Sequence, residues 1–330
     1  MGVRPYKIVR RSIFIFLQNY EQFAFSAAIL ALPLSLAVLL SQIIVPAFCP
    51  SLLQTIFFRL ETLFQAFGLS PTLLFVSLLI SKLSQTISLY IFTLPFSLTF
   101  LLMLKAFVIQ CLKRDKSSDA QPFGAAVIPT FVSLFYTYIC NSILIVAVNS
   151  TAFALTFLSL VFMEGIGFFS RSSFFFISAS GAVLYSMILA NSFIVCNLAL
   201  TLSAIEKTGG FLAVLKACVL IQGRASTALF LALPLNLSLA GLEALFRFRI
   251  VRNYFVREKP DWWFMAIEGT LLAYLYSLLL VLDTVVSWNF YKSCKSEVKP
   301  NWESECLLRI QDEDDHHSDY ACLNVSKEIP

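Results

Sequence analysis

Long apolar runs separated by short charged segments dominate this sequence. The two longest occupy residues 71–111 and 123–169, and each is roughly twice the 20 residues that a helix needs to cross a hydrocarbon core of about 30 Å. Backbone amides and carbonyls find no water inside a bilayer, so they must pair within the segment. The runs therefore predict an all-α integral membrane bundle.

The composition agrees with a membrane protein. Hydrophobic residues make up 58% of the chain and charged residues 13%, which does not fit a soluble surface. A net charge of +4 in so apolar a chain favours anionic lipid headgroups over nucleic acid. The 8 Cys include no C-x-x-C pair, so neither a zinc site nor a disulfide framework is predicted. We expect membrane lipids as partners, no nucleic acid and no cofactor or metal.

Six spans are the favoured count, and seven are the alternative. The choice depends on residues 123–169, which the polar triplet Asn149-Ser150-Thr151 interrupts. One crossing there gives six spans, and two crossings separated at a lumenal Asn149 give seven. With six spans, most Lys and Arg residues lie on the same side as both termini, including those of a predicted loop at 105–116. That side is therefore predicted to be cytosolic. The basic segment 247–259 then lies on the far side, against this rule.

Three regions are predicted. Residues 1–22 start with four basic side chains and continue into apolar ones, which is typical of an amphipathic surface helix. Residues 23–291 form the membrane domain. Residues 292–330 carry five Lys and Arg against nine Asp and Glu with few apolar side chains, which predicts a disordered acidic tail that offers a site for protein partners.

A short segment between two apolar runs, 203–224, has a charged pair, a glycine pair and then 12 residues before the next glycine. Twelve residues are too few to cross the hydrocarbon core, so we expect an interfacial or re-entrant helix here. The residues predicted to form a membrane-surface hinge are Glu206, Lys207, Gly209, Gly210, Lys216, Gly223 and Arg224.

The pattern Ser203-x-x-Glu206-x-x-Gly209, followed by Ala213-x-Leu215-Lys216-Ala217-Cys218 and Gly223-Arg224, resembles the hinge of a group of uncharacterised plant multi-pass membrane proteins. It is also similar to the hinge in the related membrane domain of bacterial glycerophosphodiester phosphodiesterases. The closing segment 289–296 is similar to that of the plant members. The resemblance implies six spans with both termini cytosolic. It implies no catalysis, because the bacterial enzymes place their chemistry in a separate barrel domain.

Catalytic constellations are absent from the apolar part of the sequence. The only histidines, His316 and His317, lie in the acidic tail, so the spans offer no His base or His-containing zinc motif. Asn191 and Asn197 are the candidate intramembrane polar residues, expected to face inward and to hydrogen-bond between helices. Four acidic residues near predicted span ends are expected to act as anchors, namely Glu164, Glu243, Glu268 and Asp283.

The leading hypothesis is a non-catalytic multi-pass protein of the endomembrane system or plasma membrane, acting through lipid or protein contacts. A transporter or channel is the alternative, favoured by the two asparagines and by helix-breaking Pro95 and Pro234. An intramembrane enzyme acting on lipid is the third class, and it lacks a nucleophile with an adjacent base.

Overall fold

The computed structural model describes residues 5–66, 74–114, 123–165, 171–222, 224–256 and 262–325, and within these ranges it contains helices and no strand. In chain order the helices are α1 (Pro5–Gln18), α2 (Tyr20–Ser26), α3 (Leu32–Phe48), α4 (Pro50–Ala66), α5 (Leu74–Phe96), α6 (Leu102–Arg114), α7 (Phe123–Gly165), α8 (Arg171–Glu206), α9 (Phe211–Ile221), α10 (Ala225–Phe246), α11 (Arg252–Val256) and α12 (Trp262–Val325).

Within the described residues, six helical stretches are long and apolar enough to cross a membrane, which confirms the predicted fold class. They are Tyr20–Phe48, Ser77–Arg114, Val127–Ala152, Ala179–Glu206, Ala225–Phe255 and Trp262–Lys295. The triplet at Asn149 does not break the chain, because α7 is one helix of 43 residues that runs through it. The described residues therefore contain six candidate spans, and α7 provides one crossing where the alternative count of seven needs two.

The first helix packs against the end of the last span. Ile8 and Ser12 are the buried residues of α1, and the Asn289 side chain in α12 donates a hydrogen bond of 2.9 Å to the Ser12 hydroxyl. Helix α9 packs into the same apolar core as Ile8. The two ends of the membrane domain and the hinge segment therefore lie at the same end of the bundle. We call this the hinge end of the bundle, and the other the opposite end.

At the opposite end, α4 folds back along the first half of α5. The Ser84 hydroxyl donates to the Leu53 carbonyl at 2.8 Å, and Phe64 and Ile80 are buried together. The span that contains α5 has 38 residues, or about 57 Å as a helix, which exceeds even a bilayer with its headgroups. One end of this span therefore extends beyond the hydrocarbon, and α4 lies against the part far from the hinge.

The basic segment at the opposite end is partly neutralised within the bundle. Arg249 donates to Glu268 at 2.7 Å, and Arg247 donates to Gln42 at 3.4 Å. Trp262, whose ring contacts that of Tyr254, and Trp263 are exposed, as in the aromatic belt of a membrane interface. The Glu268 carboxylate therefore balances one of the cations of this segment.

Two prolines adjoin π-helical turns. The turn Ala27–Ala31 ends just before Pro33, and Ser97–Leu101 begins just after Pro95, because a ring without an amide hydrogen disturbs the regular hydrogen-bond ladder. The expected break at Pro234 is not seen, since α10 is helical from Ala225 to Phe246.

The sixth span continues beyond the membrane. Helix α12 reaches Val325, within the region 292–330 for which the sequence predicts a disordered tail. Adding residues to an existing helix avoids the cost of helix nucleation. The composition of residues 292–330 does not show that a formed helix ends next to them.

We expect Lys207 and Arg252, both exposed, to lie on opposite sides of the membrane. Each is replaced by cysteine in a background without the native cysteines and treated with an impermeant maleimide in sealed vesicles. One should be labelled only from outside and the other only after permeabilisation, while Lys7→Cys should behave like Lys207→Cys. Labelling of positions 207 and 252 from one side would contradict the six-span arrangement.

Candidate functional site

Two oppositely charged side chains meet inside the bundle. Lys105 of α6 is 3% exposed, and its ammonium lies 4.0 Å from an Asp283 carboxylate oxygen of α12. The same ammonium donates a hydrogen bond to the side-chain oxygen of Asn197 in α8. Three spans that are distant in sequence therefore contribute to one polar cluster.

Asn197 joins the two charges. Its carbonyl oxygen accepts from Lys105, while its amide nitrogen lies 3.2 and 3.0 Å from the two Asp283 oxygens. The amide nitrogen is also 3.2 Å from the Ser287 hydroxyl, one turn further along α12. A side-chain amide suits this position because it offers an acceptor to the cation and donors to the anion.

The cluster lies at one depth. Each member of the cluster lies nine residues before a charged residue at the hinge end: Lys105 before Arg114, Asn197 before Glu206, and Asp283 before Lys292. Nine residues of helix span about 13 Å, and a headgroup layer is only about 6 Å thick. The charges therefore lie in hydrocarbon, where an unpaired ion costs several kcal/mol and ionisable side chains pair with one another.

A cleft of about 40 Å³ borders this cluster between α8, α10 and α12. Its polar side is formed by Asn197, Asp283 and Ser287, and its other walls are apolar. This volume holds at most a few water molecules or one small polar group. The cleft therefore gives outside molecules access to the anionic half of the cluster.

The two predicted polar asparagines do not act together. Asn197 lies in the cluster, whereas Asn191 is exposed on α8, contrary to the expectation that both face inward. They are six residues apart, which places them about 120° from each other around a helix. A separation of seven would have allowed a shared face.

Sequence reasoning missed the two charged members. The sequence predicts a cytosolic loop at 105–116, which contains Lys105, and an anchoring role for Asp283 near a span end. The structure places both within spans and in contact. Two features of the sequence could have identified them. Their charges are opposite, and each residue lies within an apolar stretch, nine residues from a charged helix end.

The glycine pair of the hinge is held against α7. A Cβ on Gly209 would lie 3.0 Å from the Ser133 carbonyl oxygen. Gly210 has φ 77° and ψ −147°, a conformation that is almost exclusive to glycine. Its amide donates to the Thr137 hydroxyl at 3.0 Å, and that hydroxyl lies 2.9 Å from the hydroxyl of Ser203. The turn between α8 and α9 is therefore a packed contact.

Glu206 is the electrostatic centre of the hinge. One of its carboxylate oxygens accepts from Lys216 at 2.9 Å, and the other accepts from the Tyr291 hydroxyl at 2.9 Å. Lys295 lies 3.8 Å from the carboxylate and donates to the Tyr291 hydroxyl. This network connects α8 and α9 to the end of the sixth span.

The remaining hinge cations have different roles. Arg224 donates to the Cys294 carbonyl at 3.2 Å, whereas Lys207 is exposed and has φ 57°. Lys113, which was not predicted, donates to the Ile205 carbonyl at 2.7 Å and so caps the last turn of α8. Gly223 lies outside the described residues.

No group of three or more His, Cys, Asp or Glu side chains in the described ranges has the arrangement of a metal site. No curated protein and no solved structure matches the chain. The sequence model of one family, described as a domain of unknown function (DUF8558), matches residues 3–329. Because this match covers nearly the whole sequence, the chain belongs to the DUF8558 family.

Proposed function

We propose that this protein is a non-catalytic, multi-pass membrane protein that acts by binding lipids at its hinge end. The observation that carries the proposal is the surface of α1. One face packs on the bundle through Ile8 and Ser12. The rest exposes the apolar side chains Tyr6, Ile13, Phe14 and Leu17 and the cations Lys7, Arg10 and Arg11.

The two exposed groups of α1 occupy adjacent sectors. At about 100° per residue, Tyr6, Ile13 and Leu17 centre about a quarter-turn from the three cations, and the exposed ring of Phe14 lies among the cations. A helix at a membrane interface has this arrangement, with apolar side chains among acyl chains and cations at headgroup level. Contact with the bundle fixes α1 in place, which favours a defined lipid-binding surface.

Helix α9 supports the same proposal. Its 11 residues are too few to cross the bilayer. Ala213, Val214, Ala217 and Ile221 are buried on the bundle, while the larger side chains Phe211, Leu212, Leu215 and Val219 are exposed. The hinge end thus has a second apolar surface suited to acyl chains.

The cations of α1 and the hinge differ in what they offer to lipids. Lys216 pairs with Glu206 and Arg224 binds a carbonyl, so their charges are partly used within the bundle. Lys7, Arg10 and Arg11 are exposed, and each cation near an anionic surface contributes about 1 kcal/mol. Attraction to anionic lipid is therefore expected to depend mainly on α1, with a contribution from exposed Lys207.

Replacing Lys7, Arg10 and Arg11 together with Gln should reduce labelling of α1 by a photoactivatable phosphatidylserine at least tenfold, because about 3 kcal/mol of attraction, roughly a hundredfold in affinity, is removed. The protein is reconstituted in nanodiscs, and cross-linked peptides are quantified by mass spectrometry.

The matched control removes three exposed cations outside the hinge end, Arg59, Lys82 and Arg252. This control should leave α1 labelling unchanged. Equal labelling of α1 in the first triple variant and the unaltered protein would overturn the proposed role of its cations.

Anionic lipids are abundant in cytosolic leaflets, so we place the hinge end in the cytosolic leaflet of the endomembrane system or plasma membrane. The segment 292–330 is proposed as a contact for protein partners because it carries an excess of acidic side chains. The relationship to plant multi-pass proteins and to the bacterial phosphodiesterase membrane domain stays a prediction.

Transport of a solute or ion is the second candidate function. The specific observation in its favour is the Lys105–Asn197–Asp283 cluster, because ionisable side chains in hydrocarbon commonly line ion or proton pathways. Its small bordering cleft favours a small solute. The charge-removal experiment in the Discussion separates this function from lipid binding.

A further inference from the structure

The polar wall of the cleft beside the charged cluster has hydrogen-bonding capacity that the neighbouring side chains do not use. A carboxylate has about four lone-pair sites. Among the described residues, the Asp283 carboxylate is hydrogen-bonded by the Asn197 amide, and its side chain remains 20% exposed. The Ser287 oxygen accepts from the same amide, which leaves its own hydrogen available to donate. The cleft thus presents an acceptor and a hydroxyl side by side.

The charges indicate what kind of group fits there. Lys105 balances the charge of Asp283 at 4.0 Å, so the cluster is neutral as a whole. Because Lys105 already balances Asp283, a cation in the cleft would gain only a weak net attraction for the loss of its hydration, and an anion would be repelled by Asp283. A neutral hydroxyl avoids both costs, because it donates to the carboxylate and accepts from Ser287.

The walls and depth indicate where that hydroxyl comes from. Ile194, Leu231, Leu235 and Phe290 line the cleft, and neighbouring Leu233 and Leu237 on α10 are 56% and 68% exposed. Asp283 lies about 13 Å from the charged level at Lys292, below the headgroups. Membrane lipids are the molecules that reach this position.

We propose that the cleft binds the hydroxyl of a neutral lipid alcohol, such as a sterol or a diacylglycerol. The volume of about 40 Å³ accommodates the hydroxyl and its nearest carbons, and the remainder of the lipid lies along the exposed surface of α10. This site is separate from the cationic surface of α1 and does not depend on it.

The experiment uses the full chain in phosphatidylcholine nanodiscs with two photoactivatable probes, a sterol and a diacylglycerol. Each probe is used with its free hydroxyl and as the methyl ether. A hydrogen bond to a charged group is worth roughly ten- to hundredfold in affinity. We therefore expect at least one alcohol to label the cleft walls, and its ether to label them about tenfold less.

Ala232→Phe places a ring in the cleft and should abolish this labelling. The matched control is Ala240→Phe, at an exposed position of the same helix, and it should label normally. Ser287→Ala preserves both charges and should lower labelling severalfold, so the proposal remains testable if the Phe variant does not fold.

Any one of three results overturns the proposal. The alcohol and its ether label the cleft equally, or labelling persists in both Ala232→Phe and Ser287→Ala, or neither probe labels the cleft. The triple α1 variant should label normally with the alcohols, so this site and the proposed anionic-lipid surface can fail independently.

Discussion

Replacing Lys105 with Met is expected to lower the free energy of unfolding by about 3–5 kcal/mol. The substitution keeps a long apolar stem but leaves the Asp283 carboxylate without its counter-charge in hydrocarbon. The side chain of Lys105 is 4% exposed and that of Asp283 is 20% exposed, so the carboxylate would keep only the few water molecules that the cleft can hold. Unfolding is followed by denaturant titration in detergent micelles, with helical circular dichroism as the signal.

The double variant Lys105→Met, Asp283→Leu tests the cause of this loss. Removing both charges should recover most of the stability, because a buried pair contributes little net energy relative to apolar side chains of similar size. Lys295→Met is the matched control. Its side chain is 55% exposed and pairs with Glu206 at 3.8 Å, so a cost below about 1 kcal/mol is expected.

A Lys105→Met loss no larger than the Lys295→Met loss would show that the cluster is not a buried ion pair. A stable double variant also separates the two candidate functions. Transport through the cluster requires Lys105 and Asp283, so solute flux would be lost in a folded double variant. Binding of anionic lipid to α1 would remain.

The second large effect is expected at the glycine pair. Gly210→Ala should destabilise the protein by about 1–3 kcal/mol, since the backbone at φ 77° and ψ −147° disfavours any Cβ. Gly209→Ala should cost a similar amount, because its Cβ would lie 3.0 Å from a backbone oxygen of α7 and force α9 to shift. Both variants should also expose the α8–α9 turn to proteolysis.

Gly241→Ala is the control for both glycine variants. Nothing lies within 4 Å of a Cβ at this position in α10, and alanine favours a helix over glycine by up to about 1 kcal/mol. We therefore expect unchanged or slightly higher stability. Equal stability of all three variants would mean that the turn is not packed against Ser133 and Thr137.

Much of the hinge could be anticipated from the sequence, but its contacts could not. A glycine pair before a short apolar stretch predicts a turn and a helix that cannot span the bilayer. Glu206 contacts Lys216 in the hinge. It also contacts Tyr291 at the end of the sixth span, which is 85 residues away in the sequence. Local spacing carries no information on such a contact.

The sequence by itself determined the class of the protein, the position of most of its spans and its amphipathic first helix, while the structure of α7 decided between six and seven spans. A bilayer imposes a length and an apolar composition on each span separately, so these features can be identified one segment at a time. Only the tertiary structure decided that Lys105, Asn197 and Asp283 meet while Asn191 is exposed. Which face of a span turns inward depends on its rotation and tilt against every neighbouring helix, and that arrangement is a property of the whole bundle.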